Sequence, residues 1–247
     1  MEAESYPETA QKGRVYTMQH MLIDSVFFGA VISLAAYEVG LLIKKKSKLA
    51  VLNPLLIGTI CVMAVLSLLQ VDYSHYSESA SYISYLLTPA TVCLAVPLYR
   101  QLTLLKNNIR AVAGGIASGV LASLVSVFLL AKLFGLSHEQ YVTLLPKSIT
   151  TAIGLGISEE LGGIPTITVA VIIVTGILGN VIAEFVYRLF RIEEPIAKGL
   201  ALGTASHAIG TARAMEMGEV EGAMSSLAIA VAGLATVIGA SLFANLL

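Results

Sequence analysis

Apolar residues run almost without interruption over positions 26–43, 49–69, 109–134, 164–190 and 223–247. Each run is near or above the roughly 20 residues that carry an α-helix across bilayer hydrocarbon, so five membrane helices are expected. Three further apolar stretches are broken: 82–99 by Pro89 and Pro97, 141–158 by Pro146, Gly154 and Gly156, and 196–214 by Gly199, Gly203 and Gly210. Proline removes a backbone donor and glycine loosens a helix; at membrane depth the freed groups survive only inside protein or around a polar cavity. Function is therefore expected in the broken stretches. Positions 1–20, with Glu2, Glu4 and Glu8, read as a polar tail and lack the basic start and apolar core of a cleavable signal peptide.

The pattern repeats. A shift of 115 residues lays the first run on 141–158, the second on the run from Ile164, the broken stretch 82–99 on 200–214, and 109–134 on the last run. The expectation is an all-α polytopic membrane protein with seven or eight membrane elements, some of them broken or re-entrant helices. They form one membrane domain over 21–247, made of two repeats, about 26–134 and about 141–247. Repeats with broken helices in matching positions are a sequence pointer to the binding site of a secondary transporter. Lys44, Lys45, Lys46 and Lys48 put the loop after the first helix in the cytoplasm and the N-terminus outside. If every later element crossed, Arg188, Arg191 and Lys198 would fall outside, against the positive-inside rule. One broken stretch is therefore expected to be re-entrant, and 141–158 is the candidate.

Composition narrows the function classes. Of 247 residues, 56% are hydrophobic and 13% charged, against roughly 45–50% and about 25% in soluble domains. With a mean hydropathy of +0.83, little chain is left for a soluble catalytic domain. A net charge of -1 offers no cationic face for nucleic acid. Cys61 and Cys93 are too few for a metal site or a disulfide framework, and no cofactor is expected. No zinc-protease helix motif, nucleophile elbow or phosphate-binding loop is present. Ser206 and His207 are adjacent, about 100° apart on a helix, so an enzyme is not expected.

Polar residues inside apolar stretches are the candidate binding groups, since ionisable groups at membrane depth are costly. In the segment GLALGTASHAIGTAR, 199–213, Thr204, His207 and Thr211 share one face if the segment is helical, with Ser206 beside them and Arg213 further on. That set suits a small anion or a proton relay, or else a packing seam. In LPKSITT, 145–151, Lys147 follows a proline, and Ser148, Thr150 and Thr151 add hydroxyls around a carboxylate-sized space. Lys147 snorkelling to water is the competing account. In the third stretch, Thr88 and Thr91 stand with carbonyls freed by Pro97. Glu159 and Glu160 with Gly162 and Gly163 read as a solvated turn, and Glu184 as a partner of Arg188 four residues on.

At these motifs the chain resembles the LrgB/CidB family of bacterial antiholin-like and holin-like membrane proteins. The segments that carry the resemblance are NPLL at 53–56, TPATVCLAVPLYRQ at 88–101, LPKSITT at 145–151, LGGIP at 161–165, the 199–213 segment and GEVEGAMS at 218–225. The resemblance covers about residues 22–247. The chain departs from the family pattern at Thr88, Cys93 and Gly156. The resemblance implies a multi-pass protein of the bacterial inner (plasma) membrane, paired with a small LrgA/CidA-like membrane protein and compatible with homo-oligomers. It implies modulation of murein hydrolase activity, autolysis and cell death, and, from other relatives, carriage of small monocarboxylates such as pyruvate or glycolate. The expectation taken forward is a carrier of pyruvate-like monocarboxylates, the alternative an antiholin/holin-like regulator without transport.

Overall fold

A computed structural model describes residues 25–47, 54–93 and 95–247. The described residues form helices joined by turns and short loops, without strands, and fall into two compact units, the first ending at Ala90 and the second running from Thr91 to Leu247. The polar tail at 1–20, Lys48 and Asn53 lie outside the described residues.

In the first unit, α1 (Phe28–Ser47) packs on α2 (Pro54–Leu69) and α3 (Tyr73–Ser84). Glycines set the approach: a Cβ on Gly58 would lie 3.4 Å from the Tyr37 Cα, and one on Gly40 would lie 2.6 Å from the Pro54 carbonyl oxygen. The Gly29 amide donates to Ser79 Oγ at 2.9 Å, and Ser33 and Tyr76 share a 2.8 Å hydrogen bond. The helix α4 (Leu87–Cys93) follows.

The second unit continues with α5 (Ala95–Arg100), α6 (Leu102–Asn107), α7 (Ile109–Phe134), α8 (His138–Leu144), α9 (Thr151–Glu160), α10 (Pro165–Leu189), α11 (Pro195–Met217) and α12 (Glu219–Ala244). Sequence accounts for the boundaries. Gly135, at φ 63°, closes α7 in the left-handed conformation that glycine adopts without strain, and Ser137 with Gln140 forms a capping box for α8. Pro165 and Pro195 open α10 and α11, where a missing N–H costs nothing. Among the described residues, α7, α10 and α12 are long and apolar enough to cross a membrane, and only 22–33% of each is buried. Leucines and isoleucines such as Leu129, Leu178, Leu234 and Ile238 face outward, as lipid-facing residues do.

Three such spans stand against the five continuous runs in the sequence. The second run is reduced to Pro54–Leu69, 16 residues, with the start of the run outside the described residues, and the first helix ends in Lys44, Lys45 and Lys46. Shifted by 115 residues, Pro54–Leu69 falls within α10 and Ile109–Phe134 overlaps α12, whereas Phe28–Ser47 falls on the broken stretch of α8 and α9.

Two of the broken stretches fold back on themselves. The α8 and α9 arms form a first hairpin: the Ile164 amide donates to Thr143 Oγ1 at 2.8 Å, and a Cβ on Gly163 would sit 3.1 Å from the Thr143 Cα. The stretch expected to be re-entrant thus folds back as a hairpin. The stretch 196–214, expected to cross, turns back as well. Helical geometry fails at Ser206 (φ -131°, ψ 15°) and His207 (φ 42°, ψ -135°), splitting α11 into two arms. A Cβ on Gly210 would lie 2.5 Å from the Leu202 carbonyl oxygen, whereas eight residues of straight helix rise about 12 Å. Both arms meet the start of α12: Gly199 abuts the Glu221 carbonyl, and Met215 lies against Gly222.

The hairpins enter from opposite ends of the bundle. The first starts where α7 ends and α10 begins, near the close of α12, since the Tyr141 hydroxyl donates to the Phe243 carbonyl at 2.8 Å. The second starts where α10 ends and α12 begins; there the Tyr187 hydroxyl donates to the Lys198 carbonyl at 2.9 Å. A re-entrant α8–α9 puts Arg110, Arg188, Arg191 and Lys198 at one end, which removes the conflict with the positive-inside rule. With Cys61 and Cys93 replaced by serine, cysteines at Ser137 and Glu160 are expected to react with an impermeant maleimide from one face of the membrane. Cysteines at Glu193 and Glu219 should react from the other face; labelling of Ser137 and Glu160 positions from opposite faces would reject the first hairpin.

Candidate functional site

The tips of both hairpins lie at the middle of the long helices. In the first, the turn 145–150 presents Lys147 and Ser148. Lys147 Nζ donates to Ser148 Oγ at 3.0 Å, and Ser148 Oγ pairs at 3.1 Å with Ser123 Oγ from the centre of α7. No carboxylate lies within ion-pair distance of Lys147 among the described residues. It borders a cavity of about 860 Å³ whose wall includes Gly119, Ser123, Ser148, Thr204 and Ala205. The cavity reaches down α7 and the first arm of α11 to Asn108 and Glu194. Its walls are mostly apolar, with a few polar groups around one cation, as in ligand sites generally.

The second tip is seated on α10. A Cβ on Gly176 would lie 2.7 Å from the His207 ring, and Ser206 Oγ occupies the space that a side chain on residue 179 would need. His207 Nε2 donates to the Ile172 carbonyl at 2.9 Å, which fixes the ring with its proton on Nε2. Ser206 Oγ is buried without a hydrogen-bond partner.

The candidate residues therefore separate. Lys147, Ser148 and Thr204 come together at the cavity. Thr150 and Thr151 stand at the start of α9, where Thr150 occupies the N-cap position without a side-chain cap bond. Thr204, His207 and Thr211 do not share a face, because the break lies among them. Thr204 looks to Gly119 and bonds back to the Leu200 carbonyl at 2.7 Å, His207 faces α10, and Thr211 pairs with Ser225 of α12 at 2.7 Å. Arg213 is at the base of the hairpin and bound to two carboxylates, Glu184 of α10 and Glu216 at 2.6 Å; its charge is satisfied by protein. Glu184 also meets Arg188, at 3.5 Å. The side chains of Thr88 and Thr91, in α4, lie outside the described residues.

Ser123, Gly176 and Gly179 were not legible as site residues. Their signal is small: Gly115, Gly119 and Ser123 recur at spacing four inside an apolar run, the pattern of a close-packed or polar-lined face. Gly176→Leu is expected to push the second tip off α10 and lower the melting temperature by several degrees, about 1–3 kcal/mol for overpacking. Gly156→Ala, whose Cβ meets nothing within 4 Å, should leave it unchanged; equal melting in scanning fluorimetry for both would reject the seat.

Similarity to known proteins places the chain at family level. The model of the LrgB-like family matches residues 33–246. The antiholin-like protein LrgB of Bacillus cereus is 40% identical over 218 residues, 88% of this chain and 95% of that protein, and the antiholin-like protein LrgB of Bacillus anthracis is similar to the same extent. No solved structure matches. With a family match over residues 33–246 and 40% identity across 88% of its length, the chain belongs to the LrgB-like family.

Proposed function

We propose that this protein is an antiholin-like component of the bacterial inner membrane, acting with a small LrgA/CidA-like membrane protein to restrain murein hydrolase activity and autolysis. The observation that carries this reading is 40% identity across 88% of the chain to proteins named antiholin-like. Deleting the gene should raise murein hydrolase activity in zymograms and speed autolysis, and restoring it should reverse both; unchanged zymograms would overturn the reading.

A second reading is favoured by one structural observation, the unpaired Lys147 in a cavity reached by two opposed hairpins. Here the protein carries small monocarboxylates. Half-helix ends and an ammonium at the bundle centre suit a carboxylate, the arrangement that secondary transporters use. Ser123 and Ser148 supply donors beside the charge, and Thr204 lines the wall. The cavity's carboxylate, Glu194, lines its far end and makes no ion pair with Lys147, which leaves the ammonium for the substrate. Labelled pyruvate should enter proteoliposomes saturably, and Lys147→Gln should cut uptake about 10–100-fold, the worth of a charge-assisted bond. Uptake unaffected by the substitution, or leakage of larger unrelated solutes, would sink this reading. Complementation with the same variant separates the two readings, because restraint of the hydrolase without uptake leaves only the first.

A further inference from the structure

At the base of the second hairpin, away from Lys147, a cavity of about 610 Å³ lies between the end of α10 and the start of α11. Its lining is mostly charged: Arg188, Arg191 and Lys198 against Glu184, Glu193 and Glu221. Glu184 is already used, by Arg213 and, at 3.5 Å, by Arg188. Arg191, Lys198, Glu193 and Glu221 form no ion pair with one another or with any other described residue. Two cations and two carboxylates thus border one space and stand apart across it.

Arg191 is held on that space against a backbone preference. The Ile192 amide donates to the Tyr187 carbonyl at 2.8 Å and the Arg191 amide to the Arg188 carbonyl at 3.3 Å, the Schellman pattern that closes a helix. Arg191 itself is left-handed, at φ 51°. Glycine fills such a position without strain, as Gly135 does at the end of α7. An arginine there accepts strain and keeps a guanidinium on the cavity. Lys198 is placed from the other side, by the 2.9 Å bond from the Tyr187 hydroxyl to its carbonyl.

The surroundings indicate the ligand. Leu189 and Phe190, the last residues before Arg191, are 62% and 69% exposed, so α10 leaves the hydrocarbon here and the cavity lies level with lipid headgroups. Basic pockets at this level take lipid phosphates, and a guanidinium meets phosphate oxygens in pairs. The two unpaired carboxylates favour a headgroup that carries a cation as well. We propose that this cavity binds a phospholipid whose headgroup combines a phosphate diester with a primary ammonium. The phosphate meets Arg191 and Lys198, the ammonium meets Glu193 and Glu221, and the acyl chains lie along the apolar end of α10. Such a lipid ties α10 to the base of the second hairpin. The inference stands apart from both functional readings.

The test uses the full chain, washed free of native lipid in detergent and titrated with dioleoyl phosphatidylethanolamine. Melting temperature and lipid retained in native mass spectrometry are followed together; saturable binding and a raised melting temperature are expected. Phosphatidylglycerol lacks the ammonium, phosphatidylcholine has no ammonium N–H to donate, and soluble glycerophosphoethanolamine lacks the chains. Each should bind at least about tenfold more weakly, the worth of a charge-assisted bond. Arg191→Gly should weaken phosphatidylethanolamine binding by a similar factor yet melt no earlier without lipid, because glycine relieves the left-handed position. An arginine with a merely structural role would shift melting and leave binding alone. Lys198→Gln reads the phosphate side a second time, and Glu193→Gln should narrow the preference over phosphatidylglycerol. No saturable binding, equal binding of the three lipids, the soluble headgroup bound as tightly as the lipid, or binding unchanged in both Arg191→Gly and Lys198→Gln would overturn the proposal.

Discussion

In hydrocarbon a backbone amide or carbonyl has no water to turn to, so a helix can break at membrane depth only where other protein receives the exposed groups. The second unit meets this constraint twice, by folding a broken stretch into a hairpin and burying its tip among the long helices. The seats are made of glycine: Gly176 and Gly179 of α10 receive His207 and Ser206, while Gly199 and Gly203 let the first arm of α11 lie directly on the backbone of α12. Small residues matter here because lipid offers no hydrophobic drive between helices, and close backbone packing must supply the attraction.

The same geometry sorts the charges. Arg213, drawn to the base of the second hairpin, finds Glu184 and Glu216 and is neutralised. Lys147, placed at the tip of the first, finds hydroxyls alone. A cation held at the bundle centre without a counter-charge is expensive, and stability gives no reason to keep it there. Methionine or glutamine would pack the turn at less cost. The lysine is thus best explained by something that visits the cavity.

Much of this was legible in the sequence. The runs at 109–134 and 164–190 match α7 and α10 to within a residue or so, and α12 begins a turn before the apolar run at 223 because Glu219 and Glu221 occupy its first turn. Charge alone marks the stretch 141–158 as the one to turn back, and it folds into a hairpin. What could not be read is tertiary. The helical face shared by Thr204, His207 and Thr211 assumed unbroken periodicity, but the conformation of Ser206 and His207 is fixed by glycines about thirty residues earlier on another helix. Arg213 looked available because its partner Glu184 lies 29 positions away, and a local pairing with Arg188 already seemed to use that carboxylate. Ser123 was hidden for the opposite reason: one hydroxyl in a long apolar run carries no periodic signal until Ser148 is brought against it.

The family name and the geometry make different demands on the same chain. A protein that acts only by docking against a small membrane partner needs matching apolar faces, and the exposed sides of α7, α10 and α12 supply those without any break in a helix. Opposed hairpins with a lysine, three hydroxyls and a roomy cavity are superfluous to docking, and they cost backbone hydrogen bonds, glycine entropy and the burial of a charge. Restraint of the hydrolase and passage of a small acid are compatible if the first follows from the second, through the acid or proton balance across the membrane.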